Sequence, residues 1–285
     1  MRALVSEYDL AIAKTLPDAL HLLNSNEGWR PIAGGTDLMV LFNAGKLPYR
    51  RLVSIRELRE LREIEASAKH VVIGAAATYT QIRSHPILQS EFPLLCQAAS
   101  WTGAVANQNR GTLGGNIANA SPAADSAPVL LAYDAELELA SATGKRWLPY
   151  SAFHLGYKQM QLRDDELITN IRLARACENI VQYVRKLGTR KAQAISKVCL
   201  AAVAARTDGA LHNVRVAVGS VAPMPLRCYA TERELESRVL TPAVVAHARE
   251  TILGEIHPIT DLRSTERYRS QVTANLLGEF LESAR

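Results

Sequence analysis

The run TLGGNIANASPAADS at residues 112–126 places two adjacent glycines, two asparagines, a Ser-Pro pair and an aspartate between apolar segments. Paired glycines let a backbone take positive φ and bring its N–H groups close to a ligand where any Cβ would intrude, which suits phosphate. A shorter run of the same kind stands near the N-terminus: Ala33, Gly34, Gly35, Thr36, Asp37 and Leu38, directly after Trp29, Arg30, Pro31 and Ile32. Two such loops far apart in sequence suggest one ligand with two phosphates. Thr36 adds a hydroxyl, and Asn116 and Asn119 add amide donors and acceptors. Ordinary structure offers rival readings. Gly34 and Gly35 suit a plain strand-to-helix turn, Asn119 and Ser121 suit turn or capping positions, and Asp125 suits a helix N-cap as well as a polar contact.

The elements that must position these residues can be read from periodicity and caps. Thr15, Pro17 and Asp18 have the spacing of a helix start, and the apolar pattern then carries a helix over 16–24. A strand over 30–33 runs into the first glycine loop and a helix over 38–43 leaves it, so unpaired N–H groups and a positive dipole end face that loop. Residues 52–55 and 71–74 read as buried strands separated by an amphipathic stretch at 56–66. Helices follow at 80–84 and 92–101, with Pro86 and Pro93 marking their boundaries. The second glycine loop comes next, then a helix over 125–131 and strands at 135–139, 146–149 and 167–173. Apolar patterning breaks at 174–179. Three strands at 180–186, 197–206 and 211–218, the last two joined around Asp208-Gly209, predict an antiparallel sheet. Helical patterns over 232–239, 243–253 and 266–283 close the chain.

Composition narrows the function. With 285 residues, 48% of them hydrophobic, the chain can bury a large core in two or three units. Its net charge of +5 comes from interspersed residues with only short basic clusters, which excludes a nucleic-acid platform. Cys96, Cys177, Cys199 and Cys228 are far apart and form no CxxC or zinc spacing, so neither an iron-sulfur cluster nor a metal site is expected. The seven histidines make no nucleophile or metal constellation with their neighbours, and no catalytic side chain is expected. No apolar run approaches a membrane span of about 20 residues and the N-terminal residues lack a signal-peptide core, so a cytoplasmic location is expected.

The two glycine loops, Ser121-Pro122, Asp125, the Asp165-Glu166-Leu167-Ile168 stretch and Lys186-Leu187-Gly188-Thr189-Arg190 occur together in order. In these motifs the chain resembles, over its whole length, the FAD-binding medium subunit of the molybdenum hydroxylases, the xanthine dehydrogenase and carbon monoxide dehydrogenase family. The resemblance implies an α+β fold. Residues 1–175 would form a two-subdomain, PCMH/vanillyl-alcohol-oxidase-like FAD-binding domain with a break near 56, and 176–285 a C-terminal domain with a three-stranded antiparallel sheet and helices.

The resemblance also implies that Arg30, Pro31, Ile32, Ala33, Gly34, Gly35, Thr36, Asp37 and Leu38, with Thr112, Gly114, Gly115, Asn116, Asn119 and Ser121, hold the pyrophosphate and sugar parts of FAD. Asp125 would lie on the flavin side. Leu167 or Ile168 would touch the isoalloxazine, although strand core is the plainer reading of Leu167. Lys186 would sit near the ring or phosphates, where a cation favours negative charge; Lys197 is a second, weaker candidate. The implied function is electron transfer from [2Fe-2S] clusters on a small partner subunit, through FAD, to an acceptor such as NAD⁺, with molybdopterin on a large subunit. The alternatives are a self-contained FAD-dependent oxidoreductase with the same fold and a subunit that has lost its flavin.

Overall fold

The computed structural model describes residues 4–175, 180–190 and 193–285. Its first layer is a parallel sheet of β1 (Asp9–Ile12), β2 (Trp29–Ile32) and β3 (Arg51–Ser54) in the order β1-β3-β2. Pro31 has no N–H to give a ladder, and β2 tolerates it as an edge strand. Thr15 accepts from the Asp18 N–H while the Asp18 carboxylate accepts from the Thr15 N–H, and this reciprocal cap starts α1 (Leu16–Asn24). Ala19, Leu20 and Leu23 of α1 pack with Val53 in a core that residues of the next sheet, Ala140 and Leu167 among them, also enter. After β2 the chain makes the first glycine turn and forms α2 (Leu38–Asn43), which buries none of its residues and leaves Met39, Val40 and Leu41 exposed.

The second layer is an antiparallel sheet of β4 (Ile64–Ala66), β5 (His70–Gly74), β6 (Glu136–Ser141), β7 (Gly144–Pro149) and, further along the chain, β10 (Leu167–Ala174), ordered β4-β5-β10-β6-β7. Between β5 and β6 run α3 (Tyr79–Ser84), α4 (Pro86–Glu91), α5 (Pro93–Trp101), α6 (Val105–Gln108), α7 (Leu113–Asn119) and α8 (Ser126–Ala132). A hairpin of β8 (His154–Gly156) and β9 (Gln159–Met160) precedes β10. Leu167 and Ile168 point to opposite faces of β10, as consecutive strand residues do, and enter two different cores.

The third layer is the antiparallel ladder of β11 (Ile180–Leu187), β12 (Val198–Thr207) and β13 (Ala210–Gly219), extended by the two-residue strands β14 (Leu226–Arg227) and β15 (Arg238–Val239). One face, with Val184, Cys199, Ala201, Val203 and Ala217, joins the core of the second layer. The other, with Val198, Leu200, Ala202 and Ala204, shares a core with residues of α9 (Tyr229–Leu235), α10 (Pro242–Glu255) and α11 (Glu266–Ser283). Burial on both faces explains why β12 reads as an unbroken apolar run. Among the described residues no helix is long and apolar enough to cross a membrane.

Four expectations change. The helix expected over 232–239 instead ends at Leu235, and Arg238–Val239 pairs with β13 as β15. Residues 56–66 form a short 3-10 turn, Arg59–Leu61, and then β4, because Leu58 and Leu61 dip singly into the first core. Pro86 starts an additional helix, α4, ahead of the one that Pro93 starts. The second glycine loop is largely helix: Thr112 caps α7, and both glycines lie in its first turn. The expected boundary at 174–179 falls mostly outside the described residues, as does Cys177.

A Cβ on Gly34 would lie 1.9 Å from the Arg110 carbonyl oxygen, a backbone atom that cannot swing aside, whereas a Cβ on Gly254 in α10 meets nothing. Gly34→Ala should therefore lose at least about 1–3 kcal/mol of stability. Gly254→Ala should gain up to about 1 kcal/mol. Denaturant unfolding of the two variants beside the parent chain checks both signs.

Candidate cofactor site

The two glycine segments meet back to back. Gly34 has no side chain because the backbone at Arg110 and Gly111 occupies that space, and a Cβ on Gly114 would lie 2.6 Å from that of Ala75. Gly35, at φ +74°, makes the left-handed step into α2. These contacts close one end of a cavity of about 870 Å³, which runs between the first turn, the α7–α8 segment and the C-terminal sheet. Of the residues singled out in the sequence, Thr36, Asp37, Asn116, Asn119, Ser121 and Asp125 line it.

Backbone donors differ sharply between the two segments. In α7 the N–H groups of Leu113 and Gly114 donate to the carbonyls of Ala77 and Ala75, at 3.1 and 2.8 Å. Those of Gly115 and Asn116 donate to the hydroxyl and the carbonyl of Thr112, at 3.2 and 3.0 Å. That helix start has no donor left in its first turn. The N–H groups of Gly35, Thr36 and Asp37, by contrast, have no hydrogen-bond partner among the described residues. Around the paired glycines, the open donors belong to the first segment.

Further along the wall, the Asp125 carboxylate accepts from Lys186 Nζ at 2.5 Å and from Ser196 Oγ at 2.6 Å. Both charged side chains are over nine-tenths buried. Burial pushes the Asp125 carboxyl up from its ordinary range, and Lys186 and Ser196 pull it back only in part. Asp125 makes no cap bond to α8, so the capping alternative fails. Lys186 also donates to the Trp101 carbonyl and stands behind Asp125, off the main cavity. Asn116 Oδ1 accepts from Ser126 Oγ at 2.7 Å, which leaves its amide nitrogen as the donor available to a ligand.

The opposite wall comes from the hairpin and the C-terminal domain. Lys158, at the hairpin turn, donates to the backbone carbonyl and side-chain oxygen of Asn119, and burial lowers its pKa. Asp261 accepts from the N–H groups of Arg263 and Ser264 and from the buried Arg269, whose other nitrogen holds the carbonyls of Lys197 and Ser220. Burial opposes the Asp261 charge, yet these donors together hold its carboxyl at about 2. Tyr79 presents the clearest opening for a ligand. Its hydroxyl is buried at the cavity wall without a hydrogen-bond partner, while the neighbouring hydroxyls of Ser126 and Thr102 donate to Asn116 and Ala98.

Residues 6–175 match the model described as the FAD binding domain in molybdopterin dehydrogenase, and residues 183–284 match the CO dehydrogenase flavoprotein C-terminal domain. The chain belongs to the FAD-binding subunits of the molybdenum hydroxylases. It is 32% identical to a putative xanthine dehydrogenase FAD-binding subunit of Escherichia coli K12, over 95% of this chain and 94% of that one. Identity to the carbon monoxide dehydrogenase medium chain of Hydrogenophaga pseudoflava is 27%, over 95% of this chain and 94% of that one. A solved carbon monoxide dehydrogenase from the same organism, lacking the Mo-pyranopterin moiety of its cofactor, superposes with a TM-score of 0.94 at 27% identity, covering 98% of this chain and 97% of the other. Quinoline 2-oxidoreductase of Pseudomonas putida 86, at 23% identity, shares the fold with a TM-score of 0.90 over 97% and 96% of the two chains.

In this flavoprotein subunit several residues named from the sequence stand away from the cavity. Arg30 pairs with Asp164 at 2.9 Å and lies over the Tyr49 ring; Pro31 and Ile32 are in β2, and Ala33 packs on the first core. Leu38, Thr112, Gly114 and Gly115 shape the turns without lining the space. Leu167 and Ile168 are core residues that do not line it, because β10 is packed on both faces. Lys197 is held over the Tyr268 ring at 5.2 Å. Sequence reading missed Tyr79, Asn107, Tyr157, Lys158, Ser196, Asp261, Arg263 and Arg269, all cavity-lining. The Asp-x-Arg-Ser pattern at 261–264, a turn whose aspartate caps the two N–H groups ahead of it, was the one local signal for part of that wall.

Removing one partner of the buried pair leaves an uncompensated charge, so Lys186→Met should cost about 3–5 kcal/mol. The double variant Lys186→Met/Asp125→Asn should recover most of that loss, and a denaturant double-mutant cycle reads the difference. For Asp261 the folded pKa lies below the unfolded value near 3.8. Its stabilisation is therefore present above about pH 4 and is lost as pH falls through about 2. Thermal melts over that window should fall more steeply for the parent than for Asp261→Asn.

Proposed function

We propose that the cavity holds FAD and that this subunit carries electrons from [2Fe-2S] clusters of a small partner subunit to an acceptor such as NAD⁺, molybdopterin being held by a large partner subunit. The observation that carries the reading is the coincidence, in one family-matched cavity, of three open backbone donors, an orphaned Tyr79 hydroxyl and a buried ion pair. When bound, a flavin exchanges electrons singly or in pairs, which is what joins a one-electron donor to a two-electron acceptor.

The chain's own residues would bind and orient. The N–H groups of Gly35, Thr36 and Asp37 would take phosphate oxygens, and the Thr36 hydroxyl and Asn116 amide would take sugar or phosphate oxygens. Asn119, tied to Lys158, and Ser121, whose hydroxyl accepts from the Ala123 N–H, would shape the neighbouring wall. Tyr79 would gain the partner it lacks. Asp125, its charge balanced by Lys186, would accept a ring N–H and fix the charge beside the ring. A cationic group behind that carboxylate keeps the local field from turning fully negative, which favours taking up electrons. Lys158 on the hairpin and Arg263 on the C-terminal wall would offer cationic groups to an acceptor's phosphates.

The test is the absorbance spectrum of the purified chain, alone and co-expressed with its partner subunits, followed by release of the chromophore on denaturation. Released FAD, with iron-sulfur absorbance in the co-expressed sample only, is the expected result. A colourless chain in both samples would sink the reading. Tyr79→Phe refines it: the free chain should keep or gain stability, since an unsatisfied buried hydroxyl is removed, while FAD affinity should fall roughly fivefold to tenfold, about the worth of one hydrogen bond. Unchanged affinity would mean that the hydroxyl does not face the cofactor.

A further inference from the structure

Arg269, in the first turn of α11, is buried, and its guanidinium holds three partners. One terminal nitrogen donates to the backbone carbonyls of Lys197 at 3.0 Å and Ser220 at 2.7 Å, and the other donates to Asp261 at 2.7 Å. Lys197 stands at the entry to β12 and Ser220 at the exit from β13. Each carbonyl sits where the C-terminal sheet touches the segment ahead of α8. Beside Lys197, the Ser196 hydroxyl donates to the Asp125 carboxylate at 2.6 Å, and the Lys197 N–H donates to the Leu187 carbonyl at 2.7 Å. Ser220 takes φ +68°, in the left-handed region that a serine seldom enters, and its N–H donates to the Pro122 carbonyl at 2.8 Å. Between Pro122 and Asp125 the chain turns tightly, the Ala124 N–H donating to the Ser121 carbonyl at 3.1 Å.

We propose that Arg269 is a positioning residue for Asp125, acting through Ser196 on one side and through Ser220 and Pro122 on the other. A single planar fork sets the separation of the two carbonyls it holds. The two strand ends therefore cannot part without breaking a bond to a charged donor that has left water. Ser196 and Pro122 ride on those ends, and Asp125 is reached from both. A lysine ammonium carries the same charge as a point without the flat fork, so charge alone does not reproduce the clamp. Asp261, itself fixed by the N–H groups of Arg263 and Ser264, holds the guanidinium from a third side. The placement of Asp125 by Arg269 is independent of what fills the cavity, whereas its bearing on FAD rests on the reading that Asp125 meets the flavin ring.

The test is the acid titration of the Asp125 carboxyl in the free chain, followed by carboxyl-carbon NMR of aspartate-labelled protein and assigned by its loss in Asp125→Asn. The titratable groups that face Asp125 are Lys186 on β11, the Cys199 thiol on β12 and the Tyr79 phenol on α3, and every variant keeps them. A carboxylate that loses a hydrogen bond binds its proton more tightly. Arg269→Lys and Ser196→Ala should each raise the proton affinity of Asp125 about tenfold, and the double variant should go no further than Arg269→Lys alone. Because lysine keeps the positive charge, the rise reports position. Asp261→Ala guards against a folding defect in Arg269→Lys. Losing that negative charge would by itself lower the proton affinity of Asp125, so a rise there comes from the slackened clamp. An unchanged titration in Arg269→Lys, or effects of Arg269→Lys and Ser196→Ala that simply add, would overturn the proposal. Should Arg269→Lys not fold, an unchanged or lowered affinity in Asp261→Ala would overturn it. FAD affinity should then fall by the same factor in Arg269→Lys as in the double variant. A shifted titration with unchanged FAD affinity would leave the clamp standing and overturn its bearing on the cofactor. If the chain takes up no FAD at all, the FAD reading falls and the titration of the free chain still decides the clamp.

Discussion

The Asp125–Lys186 pair is the contact on which the arrangement of the cavity depends. It joins the start of α8 to the edge strand of the C-terminal sheet, with both charges out of water. Taking two charges out of water costs several kcal/mol per ion before their attraction is counted, so such a pair is a poor way to gain stability. It is a good way to fix position. The apolar seam formed by Val184, Cys199, Ala201, Val203 and Ala217 drives the sheet onto the second layer without regard to direction. Directional contacts then set where it stops: Lys186 on Asp125, Tyr133 on Gln182 at 2.6 Å, and Asp134 between Arg215 and Arg227. A cavity bounded by two such layers keeps its width because these contacts hold at both ends of α8.

The two glycine runs show how one sequence pattern can serve two ends. In the first, glycine permits a left-handed step at Gly35 and leaves three N–H groups open. In the second, Gly114 exists because α7 presses on Ala75, and every donor of the first helical turn is already used. Gly34 serves packing as well, giving room to the Arg110 carbonyl. A glycine pair therefore reports close approach of backbone to something, and the something here is as often protein as ligand.

Local signals carried much of the fold. The reciprocal cap at Thr15 and Asp18, the 38–43 helix and the strand pattern of 180–218 are each written within a few neighbouring residues, and the α+β class follows from them. The cavity was legible only on the side made by the glycine runs. Ser196, Arg269 and Tyr79 come to it from elements far apart in sequence, and no spacing rule connects them. Arg269 is the clearest case: it sits in the first turn of α11, among residues whose pattern says surface, yet it is buried because its guanidinium holds two loop carbonyls and Asp261. Leu167 and Ile168 show a further limit, since a strand packed on both faces offers two apolar neighbours that a sequence cannot tell from one ligand-facing side.

One feature of the first layer bears on how the chain behaves in bulk solution. A six-residue helix is too short to persist unaided, and α2 is held by Phe42 meeting the Tyr8 ring edge-on at 5.0 Å while Met39, Val40 and Leu41 face water. On the same layer, Leu10 and Ile12 are exposed on β1, one of the two edge strands of its sheet. Exposed apolar side chains beside an unpaired strand edge are what a neighbouring chain meets first, so this corner is where contact with another polypeptide costs the least desolvation of polar groups.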